Sequence, residues 1–280
     1  MEDTLSQTQF KPAPFDAAAP VYDLAFTSSH IGRAQREITR RELDRLFRPG
    51  QYILELNCGT GADAVYLASR GIHILACDVS SRMIEEARKK LRPAGLGSLL
   101  CDRATFRVLA TEDIGSLLPE GLAGHFDGAF SNFAGLNCVG DLSTVACDLG
   151  KLLKPGAQVL LCLFGRFCLW EILWYLMHAM PAKAFRRLRA GEGLAHLAGE
   201  ETVNVHYPSV HELARVFAPH FRLKRWKGVG VAIPPTYLEN LACRFPRVLE
   251  CVKNLERWLG PCPVLRAAAD HVLLVFESRA

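Results

Sequence analysis

What this chain lacks narrows its class first. Its ten cysteines form no C-x-x-C pair. Several, including Cys77, Cys138, Cys162 and Cys168, sit inside apolar runs, so buried reduced thiols are expected rather than a disulfide framework or a zinc site. No His/Cys/Asp cluster has metal-ligand spacing, and no metal is expected. No apolar stretch runs uninterrupted for about 20 residues, which argues against a membrane-spanning helix. Residues 1–14 lack the basic-then-apolar start of a secretory signal, so a cytoplasmic location is the expectation. Charge of one sign is scarce too. The formal net charge is +4, and the basic residues are spread apart from one cluster near Arg186, so nucleic acid is not demanded as a partner. With half of its 280 residues hydrophobic, the chain can bury a large core and fits no disorder class.

What is present is a strand, a glycine turn and a helix in that order. The apolar run Ile53-Leu54-Glu55-Leu56 ends at Asn57-Cys58-Gly59-Thr60-Gly61, and a helical pattern follows from Ala62 to Arg70. Glycines let the backbone turn sharply and approach a ligand, and the free N–H groups of the new helix face whatever lies there. A second apolar run, Ile72 to Cys77, ends in Asp78. That acid lies about 17 residues past Gly61, near the roughly 20-residue spacing at which an acid after the second strand reaches ribose hydroxyls. Gly59-Thr60-Gly61-Ala62-Asp63-Ala64 also satisfies the G-x-G-x-x-A dinucleotide form, so an NAD(P)-dependent oxidoreductase stays open from the glycines alone. Here, however, Glu55 and Asn57-Cys58 separate the strand from the turn glycine, and an acid at the strand end suits a ligand bearing an ammonium group.

These residues resemble the first motif of the class I S-adenosylmethionine-dependent methyltransferases, in the ubiquinone/menaquinone-type, small-molecule branch. Glu55, Gly59, Gly61 and Asp78 match, and Val79-Ser80-Ser81-Arg82-Met83 looks like the helix start that flanks the donor's adenine. Asn57 stands where the family has its first glycine. It implies a left-handed or turn conformation that Asn tolerates, or an altered pocket. The resemblance spans about residues 15–164. It implies a Rossmann-like α/β fold with a seven-stranded, mostly parallel sheet whose last strand is antiparallel, flanked by helices, and a methyl-transfer activity with S-adenosylmethionine as donor. It also implies donor contacts from Tyr22, in the Tyr22-Asp23 pair, and from Thr111 and Glu112, with Asp113 as the alternative. An aromatic face at Tyr22 suits a sulfonium cation. A donor-binding protein without methyltransferase activity is the rival kept alive by Asn57 and Ala110.

The rest of the chain fills in this plan. A third strand is read at 104–109, a fourth at 126–131, a fifth at 157–164 after the Leu-Leu-Lys-Pro-Gly turn, a sixth at 221–231 and a seventh at 271–277. Because ligands of open parallel sheets sit beyond the carboxyl ends of the strands, Ser131, Asn132 and Phe133 are expected beside the donor methyl group. Residues 1–48 read as an N-terminal helical cover and 49–280 as the methyltransferase domain, with insertions at about 165–207 and 232–270 that form a helical cap. The cap's aromatic content points to an apolar or aromatic small-molecule acceptor, methylated on oxygen, carbon or nitrogen. Phe133, Arg166, Trp170 and Trp174 are the candidate acceptor contacts. The same Trp-rich helix, followed by Lys183, Arg186, Arg187 and Arg189, also suits peripheral membrane contact or a homodimer interface. Ser209 and Glu212 form a capping box, which leaves His206 and Tyr207 in the preceding loop as candidate general bases.

Overall fold

The computed structural model describes residues 13, 15–91, 100–188, 193–196 and 202–279. Residues 1–12 and 14 of the expected cover, and 189–192 (with Arg189) and 197–201 of the first insertion, lie outside the described residues. The main sheet comprises β1 (Tyr52–Leu56), β2 (His73–Asp78), β3 (Ala104–Val108), β4 (Phe126–Ser131), β5 (Leu153–Phe164), β8 (Phe221–Val229) and β9 (His271–Ser278), while β6 (Gly193–His196) and β7 (Thr202–Val205) form a separate hairpin. The strand order is β3-β2-β1-β4-β5-β9-β8. Strands β1 to β5 pair in parallel, and β9 runs antiparallel to both β5 and β8. The seventh strand thus lies between the fifth and sixth.

Helices α1 (His30–Leu46), α2 (Ala62–Ser69) and α3 (Ser81–Lys89) cover one face, and α4 (Leu142–Leu152) and α6 (Val210–Phe217) the other. Strands sandwiched this way are buried on both sides, which explains their continuous rather than alternating apolar runs. Along β1, Leu54 and Leu56 join the core beneath α4 and α6, whereas Ile53 joins the core beneath α1 and α2. Glu55 shares the face of Ile53 because strand side chains alternate.

Two local results refine the sequence pattern. The Lys154-Pro155-Gly156 turn lies inside β5: Phe126 pairs with Leu153, the register shifts, and Gly128 pairs with Gln158. Gly156 makes the excursion possible with φ +76°. The β6–β7 hairpin was not expected, although Thr-Val-Asn-Val alternates as a strand does. At Ser209 the capping box forms in full.

Both insertions leave the carboxyl-terminal edge of the sheet, after β5 and after β8. They contribute α5 (Leu169–Met177), α7 (Glu239–Arg244) and α8 (Pro246–Leu259). Ile233, Leu238, Ala242 and Leu249 pack with Ile31 and Ala34 of α1 and with Trp170 and Trp174 of α5 in a third apolar cluster. Glu256 of α8 fixes the exit from β8 by accepting the backbone N–H groups of Gly230, Val231, Ala232 and Ile233 at 2.9, 3.1, 2.6 and 3.0 Å.

Candidate active site

Strand order reverses between β1 and β4, and the crevice at their carboxyl ends is where an open α/β sheet holds its ligand. A cavity of about 600 Å³ lies there. Its floor is the β1–α2 turn. Asn57 adopts φ +53° and Gly59 φ +53°, the left-handed conformation that Asn and Gly tolerate best. Asn57 also lies beneath Gly135, where a Cβ would sit 2.2 Å from the Asn57 Cβ, and it accepts from Ser131 Oγ at 3.2 Å. Gly61, φ +69°, does not line the cavity. It is required for packing, since a Cβ there would fall 2.6 Å from the Phe106 ring.

Three carboxylates surround this turn. Asp78 accepts the Gly59 N–H at 2.8 Å and the Ser80 N–H at 2.9 Å, which ties the first turn to the end of β2. Burial still raises its pKa. Asp63 is buried against Arg36, with Arg40 Nε at 2.8 Å and Asn132 Nδ2 at 2.9 Å. Burial pushes its proton affinity up, but the two guanidinium groups outweigh that and keep it ionised. Glu55 makes no ion pair among the described residues, and the same two guanidinium groups only partly offset what raises its pKa. It is 2% exposed, its Oε2 is buried without a hydrogen-bond partner among the described residues, and burial with the nearby Asp63 charge raises its pKa well above the carboxylate range.

Of the residues picked out from sequence, Tyr22, Glu55, Asn57, Gly59, Asp78, Val79, Met83, Thr111, Glu112, Asn132 and Phe133 line the one cavity. Asp23 turns away to Thr60 Oγ1 (2.7 Å) and Lys90 Nζ (2.6 Å). Ser131 is fully buried behind Asn57. Phe133 and the following Ala134 both have positive φ, +53° and +68°, where the chain leaves β4, an uncommon conformation that concentrates at ligand-binding corners.

The remaining picks stand outside the cavity lining. His206 is clamped through its backbone, with its N–H on the Asn137 carbonyl (2.7 Å) and its carbonyl accepting Asn137 Nδ2 (2.6 Å). Tyr207 packs near Phe164 and the Arg187 guanidinium. Arg166 pairs with Glu212 at 3.5 Å, Trp170 Nε1 donates to the Val231 carbonyl at 3.0 Å, and Trp174 lies 5.7 Å from the Tyr237 ring. Arg186, Arg187 and Glu171 form an ion cluster rather than a free basic patch.

Residues that the sequence reading passed over complete the walls: Phe26, Gln35 and Arg36 from the amino-terminal part, Phe164, Val203 and Val205 from the first insertion's edges, Thr236 from the second, and Asp270 with His271 at the start of β9. Arg36 stacks over Phe133 at 4.7 Å and Phe26 at 5.5 Å. Nothing local in a charge-rich helix announced a buried arginine; Asp63, in the first turn after the glycines, was the available signal. Cys77, Cys162 and Cys168 are buried and Cys138 is half-buried; burial pushes the Cys162 thiol up to about 12. Away from the cavity, His30, Glu239 and Cys243 bring ligand atoms within 4.8 Å of one another, but both Glu239 oxygens already cap the start of α1 through the His30 and Ile31 N–H groups.

Comparison with known proteins places this architecture. Residues 53–156 match the family model described as a methyltransferase domain. A demethylmenaquinone methyltransferase from Parafrankia is 31% identical over 231 residues, covering 78% of this chain and 86% of that protein. One from Corynebacterium kroppenstedtii is 28% identical, with 77% and 85% covered. In fold, a SAM-dependent methyltransferase from Methanosarcina mazei superposes with a TM-score of 0.56 at 19% identity, over 85% of this chain and 96% of that one.

Proposed function

This chain belongs to the class I S-adenosylmethionine-dependent methyltransferases of the menaquinone/ubiquinone type and transfers methyl groups from that donor, and we propose that its acceptor is an apolar aromatic small molecule of the demethylmenaquinone kind held beneath the cap. The single observation that carries the site assignment is Glu55. A buried carboxylate oxygen with no partner among the described residues, in a cavity wall, fits a cationic ligand group and is costly without one.

In this reading Glu55 receives the donor's ammonium group and Asp78 its ribose hydroxyls. Val79, Met83 and the backbone at Thr111-Glu112 hold the adenine, and Tyr22, Asn132 and Phe133 surround the reacting end. The donor supplies an already activated methyl group. The chain's own task is to align the acceptor with it, exclude water and take up a proton where the acceptor loses one. Alignment contributes up to roughly 7–11 kcal/mol of the barrier. Asn132 is preset for that role: Thr39 Oγ1 (3.0 Å) and Asp63 hold its amide nitrogen, while its Oδ1 accepts the Phe133 N–H at 3.2 Å. The described residues up to 48 act as the cover over the donor, and the described parts of the two insertions as the cap over the acceptor.

The cap also offers a surface. Leu241, Phe245, Val248 and Trp258 are exposed, Trp258 at 79%, and they alternate with exposed Arg244, Arg247 and Arg257. An apolar and basic face of this kind suits an anionic bilayer, from which an apolar acceptor would be drawn. No helix among the described residues is long and apolar enough to cross a membrane.

The test is a thermal shift with S-adenosylmethionine, S-adenosylhomocysteine and NAD(P). Donor at about 100 times its dissociation constant stabilises by roughly 2.7 kcal/mol, and Asp78→Ala abolishes that effect. Stabilisation by NAD(P) alone would sink the donor pocket. Labelled methyl transfer to demethylmenaquinol then tests the acceptor, and co-sedimentation with phosphatidylglycerol vesicles tests the surface against a dimer seen by sedimentation velocity.

A further inference from the structure

The cavity wall contains a titratable ring, His271, that no donor contact uses. His271 opens β9, in register with Phe164 of β5 and Val229 of β8. Its imidazole is buried, stacks on Phe164 at 4.7 Å with a 27° tilt and meets the Phe133 ring edge-on at 5.8 Å. Phe133 is also the residue that follows Asn132 at the reacting end. Nδ1 lies 3.3 Å from Asp270 Oδ2, within ion-pair distance but out of hydrogen-bond alignment, and it has no other partner among the described residues. The remaining ring nitrogen, Nε2, makes no hydrogen bond among the described residues, and the ring lines the cavity.

Behind the imidazole stands a fixed charge chain. Asp270 Oδ1 accepts from Arg187 Nη2 at 2.8 Å, and Arg187 in turn donates through Nε to Glu171 Oε2 at 2.9 Å. Asp270 is held ionised: burial raises its proton affinity, but the Arg187 guanidinium, joined by His271 whenever the ring is protonated, outweighs it. Burial lowers the imidazole's own pKa from 6.5 against the raising effect of Asp270, so the ring rests neutral and can accept a proton. The charged groups facing it are Asp270 and, behind it, Arg187. Phe133 from the β4 exit, Phe164 from β5 and Gln35 from α1 contribute no charge.

We propose that His271 is the general base of the transfer, that Asp270 is its positioning residue, and that the acceptor is a hydroxyaromatic ring lying in the cavity beside His271 and Phe133, a proposal that rests on the donor assignment above. The hydroxyl proton passes to His271 Nε2. A bond forms between the acceptor and the methyl carbon, and the S–CH3 bond breaks with its electron pair remaining on sulfur. Where attack comes through a ring carbon instead of oxygen, the ring proton's return to oxygen restores aromaticity. Either way one proton is released, through the imidazole to solvent.

The test compares wild type with His271→Gln, His271→Ala and Asp270→Asn, using 1,4-dihydroxynaphthalene, catechol and 4-nitrophenol as probes. His271→Gln is expected to lose roughly 10²- to 10⁴-fold in kcat with donor-induced stabilisation unchanged, and His271→Ala to regain activity with added imidazole. Wild-type activity falls as pH drops below the imidazole's value, under 6.5. In Asp270→Asn that acid limb moves lower still, because the carboxylate that raises the ring's pKa is gone. A readout without turnover is the titration of 4-nitrophenol bound beside S-adenosylhomocysteine: the phenolate band should appear at lower pH in wild type, where a protonated imidazole pairs with the phenolate, than in His271→Gln. Equal kcat and equal titrations in the two overturn the proposal, as does loss of donor binding in step with kcat. Donor stabilisation with transfer to none of the probes leaves the donor pocket standing and overturns this proposal; no donor stabilisation at all overturns the assignment beneath it.

Discussion

Glu55→Gln separates binding from stability at one atom. In the protein without donor, Glu55 carries a buried oxygen with no partner among the described residues, and burial with the Asp63 and Asp78 charges outweighs Arg36 and Arg40. An unsatisfied buried polar group costs about 1–3 kcal/mol. The folded state holds the Glu55 proton to higher pH than the unfolded chain does, so the native state binds more protons. Its stability contribution is therefore intact below about pH 4.5 and is lost as pH rises through the raised value. The glutamine variant escapes that loss. Its melting temperature should match wild type near pH 5 and exceed it at pH 8 by about 2–4 °C, the shift that about 1 kcal/mol produces in a chain of this size.

Donor binding should move the other way. Removing one partner of a buried charge pair costs about 2 kcal/mol or more, which is roughly 30-fold in affinity. Binding a cation beside Glu55 also lowers its pKa, so wild type should release a proton to buffer on binding and the variant should not. Calorimetry at pH 6 in buffers of different ionisation enthalpy measures that proton. Equal donor affinity in the two proteins, or no proton release from wild type, would refute the assignment of Glu55 to a cationic group.

Two further substitutions test how the site is held. Glu256→Ala strands four backbone N–H groups at the exit from β8 and should destabilise by more than about 3 kcal/mol in chemical denaturation; a loss below 1 kcal/mol would mean that the second insertion is anchored elsewhere. Arg187→Met leaves Glu171 and Asp270 buried without their shared cation and should cost about 3–5 kcal/mol, whereas the added double change Glu171→Leu restores part of it, as a denaturant-midpoint comparison would register.

The parts of the fold that were legible in the sequence are those governed by neighbours along the chain. Period and punctuation gave the strands, and Asn57 took the left-handed backbone that its residue type permits. The capping box at Ser209 formed because both partners lie within one turn. What stayed hidden depends on distance in sequence. Arg36 and Asp63 are 27 positions apart, and Arg187 and Asp270 are 83 apart. A charge-rich helix and a basic cluster read as solvated surface until the chain reveals the buried acids that meet them. Asp270 and His271 looked like the entrance to an apolar strand. Only the antiparallel insertion of β9 between β5 and β8 brings that entrance to the carboxyl edge where the parallel strands end.

That placement gives the cavity two electrostatic halves, and the division has a catalytic logic. Interactions equally strong before and during transfer improve binding without lowering the barrier of the bound complex. On the proposed assignment, the ionised acids face the ammonium and ribose ends, whose charges stay constant through the reaction. The reacting end is met by Tyr22, Phe26 and Phe133, whose rings interact with a cation far more weakly than a carboxylate would. A full negative charge there would hold the sulfonium back just as its charge disappears. The group whose charge changes is the imidazole edge-on to Phe133, neutral at rest and backed by Asp270 once protonated. Moving a carboxylate into the aromatic corner, as in Phe133→Asp, should therefore tighten donor binding while lowering kcat.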